Sequence, residues 1–167
     1  IEVRSADSNT PTLVVAMAAL YKGVLKMVFG GKPLEIRISR QDGLWGITRS
    51  EILLPAYRTL KAMEAEGIAI GVRSPLVRRY LSYLVAVAED ALTSDEATCL
   101  APFAAILEHQ RNVGDVISEM ARRIEPAGQN TISASAAATV SLFVAEQYLD
   151  DINGGSQLLD MIRHGVG

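Results

Sequence analysis

The sequence predicts a mainly α fold, a bundle of about six helices with one small β-hairpin at residues 34–48, in a single domain spanning residues 1–167. Three observations predict it. Apolar residues recur three and four positions apart along most of the chain, the spacing of helices that bury one face. Two Thr-x-x-Glu boxes, Thr48 with Glu51 and Thr93 with Glu96, carry the hydroxyl and carboxylate that satisfy the first amides of a helix. Strict alternation of apolar and polar residues is confined to short stretches near the middle of the first half.

Residues 5–11 are polar turn formers, so residues 1–11 read as a loose lead-in. A first helix opens near Thr10, with Pro11 in its first turn, where a missing amide costs nothing. Leu13, Met17, Leu20, Val24 and Met27 recur at helical spacing, and Gly30 with Gly31 ends the run. Leu34, Ile36 and Ile38 then share one face of a strand, Asp42 and Gly43 signal a turn, and residues 44–47 are strand-like. A two-stranded hairpin alone is marginal, so a third strand or the helices must support it, and the alternation of Ile68, Ile70 and Val72 offers one. The Thr48 box opens a second helix that is kinked at Pro55, or whose main body begins there, and that stops at Gly67.

Pro75 opens a third helix whose dense apolar positions, from Val77 to Ala91, make it the candidate central helix. The Thr93 box begins a segment broken at Pro102, and a long amphipathic helix follows from Phe103 to Ile124. Ala134, Ala136, Ala137 and Ala138 give the next helix a small-residue front end suited to close packing. Asn153, Gly154 and Gly155 form a turn, and Ser156 caps a last short helix ending at Gly165.

Composition bounds the chemistry. With 49% apolar and 21% charged residues and a net charge of -3, the chain is not globally disordered. One cysteine, Cys99, excludes an internal disulfide. Uninterrupted apolar runs fall well short of the roughly 18 to 20 residues of a membrane span, so none is expected. The chain opens on Ile1, which reads as a processed product or fragment, and its first residues lack the pattern of a secretory leader. A single thiol fits a reducing, cytoplasmic compartment or the inside of a macromolecular assembly.

No catalytic constellation emerges. Gly30, Gly31 and Lys32 lack the upstream glycine and the following hydroxyl of a phosphate loop. His109 and His164 are the two histidines, too few for the usual zinc or iron ligand sets. His164 reads instead as a cation near a helix C-terminus, and Cys99 as a small buried hydrophobe. No metal, cofactor or enzymatic activity is therefore expected.

Charge is the strongest signal. Residues 1–83 hold twelve basic and seven acidic side chains, a balance of +5, whereas residues 84–167 hold four and twelve, a balance of -8. Such polarity serves internal pairing, association between copies, or binding of nucleic acid or an anionic surface. The expected function is that of a non-enzymatic structural or assembly subunit (coat, nucleocapsid or matrix-type, or an adaptor) that self-associates. Lys22 and Lys26 of one copy are expected to face Glu146, Asp150 and Asp151 of another. The alternative is a regulatory domain binding RNA or DNA through Arg73, Arg78, Arg79, Tyr80 and Tyr83, since guanidinium groups grip phosphate and tyrosines stack on bases.

Overall fold

Residues 10–31, 35–41, 45–47, 51–125 and 132–166 are described by the computed structural model, and helices dominate them. Helix α1 (Pro11–Phe29) opens on Pro11 and packs along α3 (Pro75–Ala91). The two backbones meet at Gly23, where a β-carbon would lie 2.6 Å from both Cα and Cβ of Ala88. Close helix packing thus falls on Gly23 and Ala88; of the alanines that open α7, Ala136 is buried, Ala137 partly so, and Ala134 and Ala138 are exposed. Ser74 caps α3 through the amide of Val77, 3.2 Å away, one residue before the expected Pro75 start.

Helix α2 (Tyr57–Ile70) runs past Gly67 and stops at Gly71, whose φ of 59° is open to glycine and strained for other residues. Ile68, Ile70 and Val72 are accordingly helical or in the following 3-10 turn, not a third strand. The Thr93 box forms as expected and starts α4 (Ser94–Ala97), which leads through a second 3-10 turn into α5 (Ala101–His109).

The single helix expected from Phe103 to Ile124 is two. Gln110 turns left-handed at φ 52°, and Asn112 with Asp115 builds a capping box that starts α6 (Val113–Ile124). Helix α7 (Ala134–Ile152) is capped by Ser133, and α8 (Gln157–His164) closes the bundle. Ser156 precedes α8 but does not cap it; Asp150 accepts the Gln157 amide at 3.1 Å instead.

The core joins Leu13, Ala16 and Leu20 of α1 to Val85 and Ala88 of α3, Phe103 and Ile106 of α5, Val116 of α6 and Ile162 of α8. Burying the larger of these side chains stabilises the fold by about 1.5 to 3 kcal/mol each. Helix α1, which touches α3, α5 and α7, shares the centre with α3.

The β-structure differs in its pairing from a 34–48 hairpin. Strands β1 (Glu35–Ile38) and β2 (Gly46–Ile47) exist where expected but do not pair with each other. Between them lies β3 (Glu51–Leu54), parallel to β1 and antiparallel to β2. Glu51 therefore begins a strand rather than completing a helix cap; Thr48 and the Asp42 and Gly43 turn lie outside the described residues. Pro55 contributes to the outcome, because a following proline disfavours helical backbone at Leu54, and pairing with β1 and β2 holds the rest of the segment extended.

Candidate functional site

The Arg and Tyr cluster of α3 is largely occupied by the small sheet. Trp45, buried just before β2, meets Tyr80 edge to face at 5.7 Å between ring centroids. The Arg79 guanidinium also lies over the indole ring, 4.8 Å from its centroid. Burial pushes the Tyr80 hydroxyl pKa up. The Tyr83 hydroxyl lies near Gly46 of β2, and burial raises its pKa as well. Arg73, one turn before α3, pairs with Asp115 at 3.1 Å. Arg78 is half-buried on the same helix. Two of the five residues, Arg79 and Tyr80, thus pack on Trp45, Tyr83 lies close to β2, and Arg73 pairs with α6.

The charged residues of the two halves are also placed within the chain. Lys22 and Lys26 converge on Glu96, Lys26 at 3.0 Å. The Lys22 contact, the Thr93 amide and Lys26 together lower the Glu96 carboxyl pKa to about 2. Asp151 accepts the Thr12 amide at 2.7 Å and the Thr12 hydroxyl, so α7 supplies the cap that Thr10 does not give α1. Asp150 holds α8, and Glu146 is exposed.

What stands uncovered is apolar. On α1 the core-facing residues Leu13, Ala16, Leu20 and Gly23 are buried. Val14, Ala18, Tyr21 and Leu25, which point the opposite way, are exposed, and Val28 is partly so. At 100° per residue these five form one stripe at intervals of four, three, four and three. Helix α7 repeats the pattern: Ala136, Val140, Phe143 and Gln147 are buried. Ala138, Leu142, Ala145, Leu149 and Ile152 form an outward stripe at the same intervals, with Leu142 66% and Leu149 58% exposed.

Both stripes are about 21 Å long at the α-helical rise. Charges stand at matching places beside them: Lys22 and Lys26 follow Tyr21 and Leu25, as Glu146 and Asp150 follow Ala145 and Leu149. Helix α1 carries no acidic residue and α7 no basic one. Sequence periodicity missed these faces because a single phase was read for each helix. The signal was present as a second apolar phase on the same helix, which leaves α1 apolar nearly all round. At 19 residues, α1 also reaches the length and composition of a membrane span, beyond what uninterrupted apolar runs suggest.

Little else gathers reactive groups. His109 and His164 end α5 and α8 with their rings 6.4 Å apart, and Asp160 pairs with Arg163 rather than with His164. Cys99 packs half-buried against the core. No group of three or more His, Cys, Asp or Glu side chains suited to a metal occurs among the described residues. A cavity of about 210 Å³ between α1, α5 and α6 is lined by Met17, Phe103, Ile106 and Val113, with Asn112 already engaged as a cap. Comparison with known proteins finds no match to any family model, curated protein or solved structure.

Proposed function

We propose that the protein is a non-enzymatic assembly subunit in which the outer stripe of α1 docks on the outer stripe of α7 of another copy. The observation that carries this is the pair of uncovered apolar stripes with identical spacing and opposite flanking charge. Residues at such intervals interdigitate as knobs into holes, large side chains seating against small ones. Antiparallel packing of α1 on α1, or α7 on α7, would set like flanks together, whereas antiparallel α1 on α7 brings the basic flank of Lys22 and Lys26 alongside the acidic flank of Glu146 and Asp150.

The basic flank keeps a surplus after internal pairing, because two lysines share the one carboxylate of Glu96. Apolar contact supplies most of the affinity and the flanking charges orient it, so salt weakens assembly without abolishing it. A contact between two different surfaces repeats from copy to copy and builds a ring or a filament.

Sedimentation velocity over a wide range of protein concentration tests the proposal. Association beyond a dimer that grows with concentration and is lost in Leu142→Asp with Leu149→Asp supports it. A monomer at every concentration, or partitioning of α1 into lipid vesicles in place of self-association, contradicts it. Support for RNA or DNA binding is thinner, because Arg79 and Tyr80 pack on Trp45 and Arg73 pairs with Asp115.

A further inference from the structure

Among the described residues β1 lies at the edge of the sheet, with β3 on one side and no strand on the other. The Ser39 amide donates to the Leu54 carbonyl at 2.8 Å, so Ser39 aims its backbone groups at β3. Backbone direction alternates along a strand, so Arg37 and Glu35 face β3 too, and Ile36 and Ile38 direct their N–H and C=O groups away from the sheet. Their side chains are as open as their backbones. Ile36 is 63% and Ile38 69% exposed, although Ile52, the register partner of Ile36, is only 6% exposed. Charged side chains, proline or a bulge ordinarily blunt such edges; β1 contains neither proline nor lysine, and its two charges, Glu35 and Arg37, pair with each other.

We infer that β1 pairs antiparallel with β1 of a second copy, about a two-fold axis through Ile36, and joins two three-stranded sheets into one of six strands. The outward backbone groups admit only registers in which Ile36 and Ile38 occupy hydrogen-bonded positions. Setting Ile36 opposite Ile38 would place Arg37 against Arg37. Setting Ile38 opposite Ile38 would place Arg37 opposite Ser39 and Glu35 opposite Gln41, with no ion pair. Setting Ile36 opposite Ile36 places Glu35 of each copy opposite Arg37 of the other, twice over. Within one chain Arg37 already lies 2.8 Å from Glu35 and 3.8 Å from Glu51 on this face, so the cross-strand pairs extend an existing charge ladder. The second copy is therefore the occupant, and its own charges choose the register.

This two-fold contact uses no residue of the α1 and α7 stripes and stands apart from the helix docking proposed above. Cysteine crosslinking tests it in a Cys99→Ser background. In the inferred register Ile36→Cys brings two α-carbons to about 5.5 Å, inside disulfide range. Ile38→Cys leaves its pair about 14 Å apart at the strand rise. Mild oxidation should therefore crosslink Ile36→Cys at least an order of magnitude faster than Ile38→Cys. Ile36→Pro, which deletes an outward amide while sparing the bonds to β3, should remove the two-fold dimer from sedimentation profiles. Leu142→Asp with Leu149→Asp should leave the Ile36→Cys crosslink unchanged, which separates this contact from the helix faces. Equal crosslinking at both positions, faster crosslinking at Ile38→Cys, or none above the background would overturn the inference.

Discussion

Gly23 and Ala88 are in backbone contact: a side chain of even one carbon at position 23 would press on the Cα, Cβ and carbonyl oxygen of Ala88, at 2.6 to 2.7 Å. Glycine here serves close approach, since α1 and α3 share the core at this level. Gly23→Ala should destabilise the fold by about 1 to 3 kcal/mol, the usual cost of overpacking, and Gly23→Val by more. Urea unfolding followed by circular dichroism measures this. An unchanged midpoint for Gly23→Val would show that α1 and α3 do not meet there.

Asp151 and Glu146 lie five residues apart on α7 and should separate cleanly in their effects. Asp151→Ala removes the cap on the α1 N-terminus and should cost about 1 kcal/mol of stability. Glu146→Lys should leave the unfolding midpoint alone and weaken self-association instead. Equilibrium unfolding and sedimentation on the same two variants check both halves of the statement.

The carboxyl of Glu96 is lowered to about 2 from an ordinary value near 4.5. A carboxylate depressed in the folded state contributes stability above its unfolded pKa and loses it as pH falls toward its folded one. The Lys22 and Lys26 contribution should accordingly be intact above about pH 4.5 and fade between there and about pH 2. Because the site is open to solvent the slope is shallow. Comparing unfolding midpoints against pH for the native chain and Glu96→Gln should show two curves that converge on acidification. Parallel curves across that window would argue against the lysine contacts.

Trp45 reports on the sheet. Arg79→Ala and Tyr80→Ala each remove a group that packs on the indole and should shift its emission toward that of solvated tryptophan, with helical content preserved. Arg78→Glu should not move the emission. If Arg79→Ala left the emission unchanged while abolishing RNA binding, α3 would be a nucleic-acid surface rather than a fastening for the sheet.

Much of the fold was legible from local chemistry. Pro11, Gly30, Pro75 and the Thr93 box mark helix ends through interactions contained within a few residues, and the structure places helix ends at or beside them. Several of the errors fall where distant partners decide. Thr48 and Glu51 have the spacing of a cap, yet Pro55 and the flanking strands draw residues 51–54 into the sheet. The break at Gln110 was readable in principle, since Asn112 and Asp115 form a box that a continuous apolar period through Val113 and Ile117 conceals. Asp151 capping α1 spans 139 positions and leaves no local trace. The outer stripes were visible as spacing alone, because which apolar phase faces the core is settled only by the neighbouring helices.

Mixing two half-disabled subunits tests the α1-to-α7 contact most directly. Both chains carry Ile36→Pro to silence the strand edge; one adds Val14→Asp with Leu25→Asp, and the other adds Leu142→Asp with Leu149→Asp. Each has lost one stripe and kept the other, so each alone should sediment as a monomer. Mixed in equal amounts, they should form a one-to-one dimer that does not grow further with concentration. A mixture that remains monomeric, or single variants that still assemble like the native chain, would contradict docking of α1 on α7.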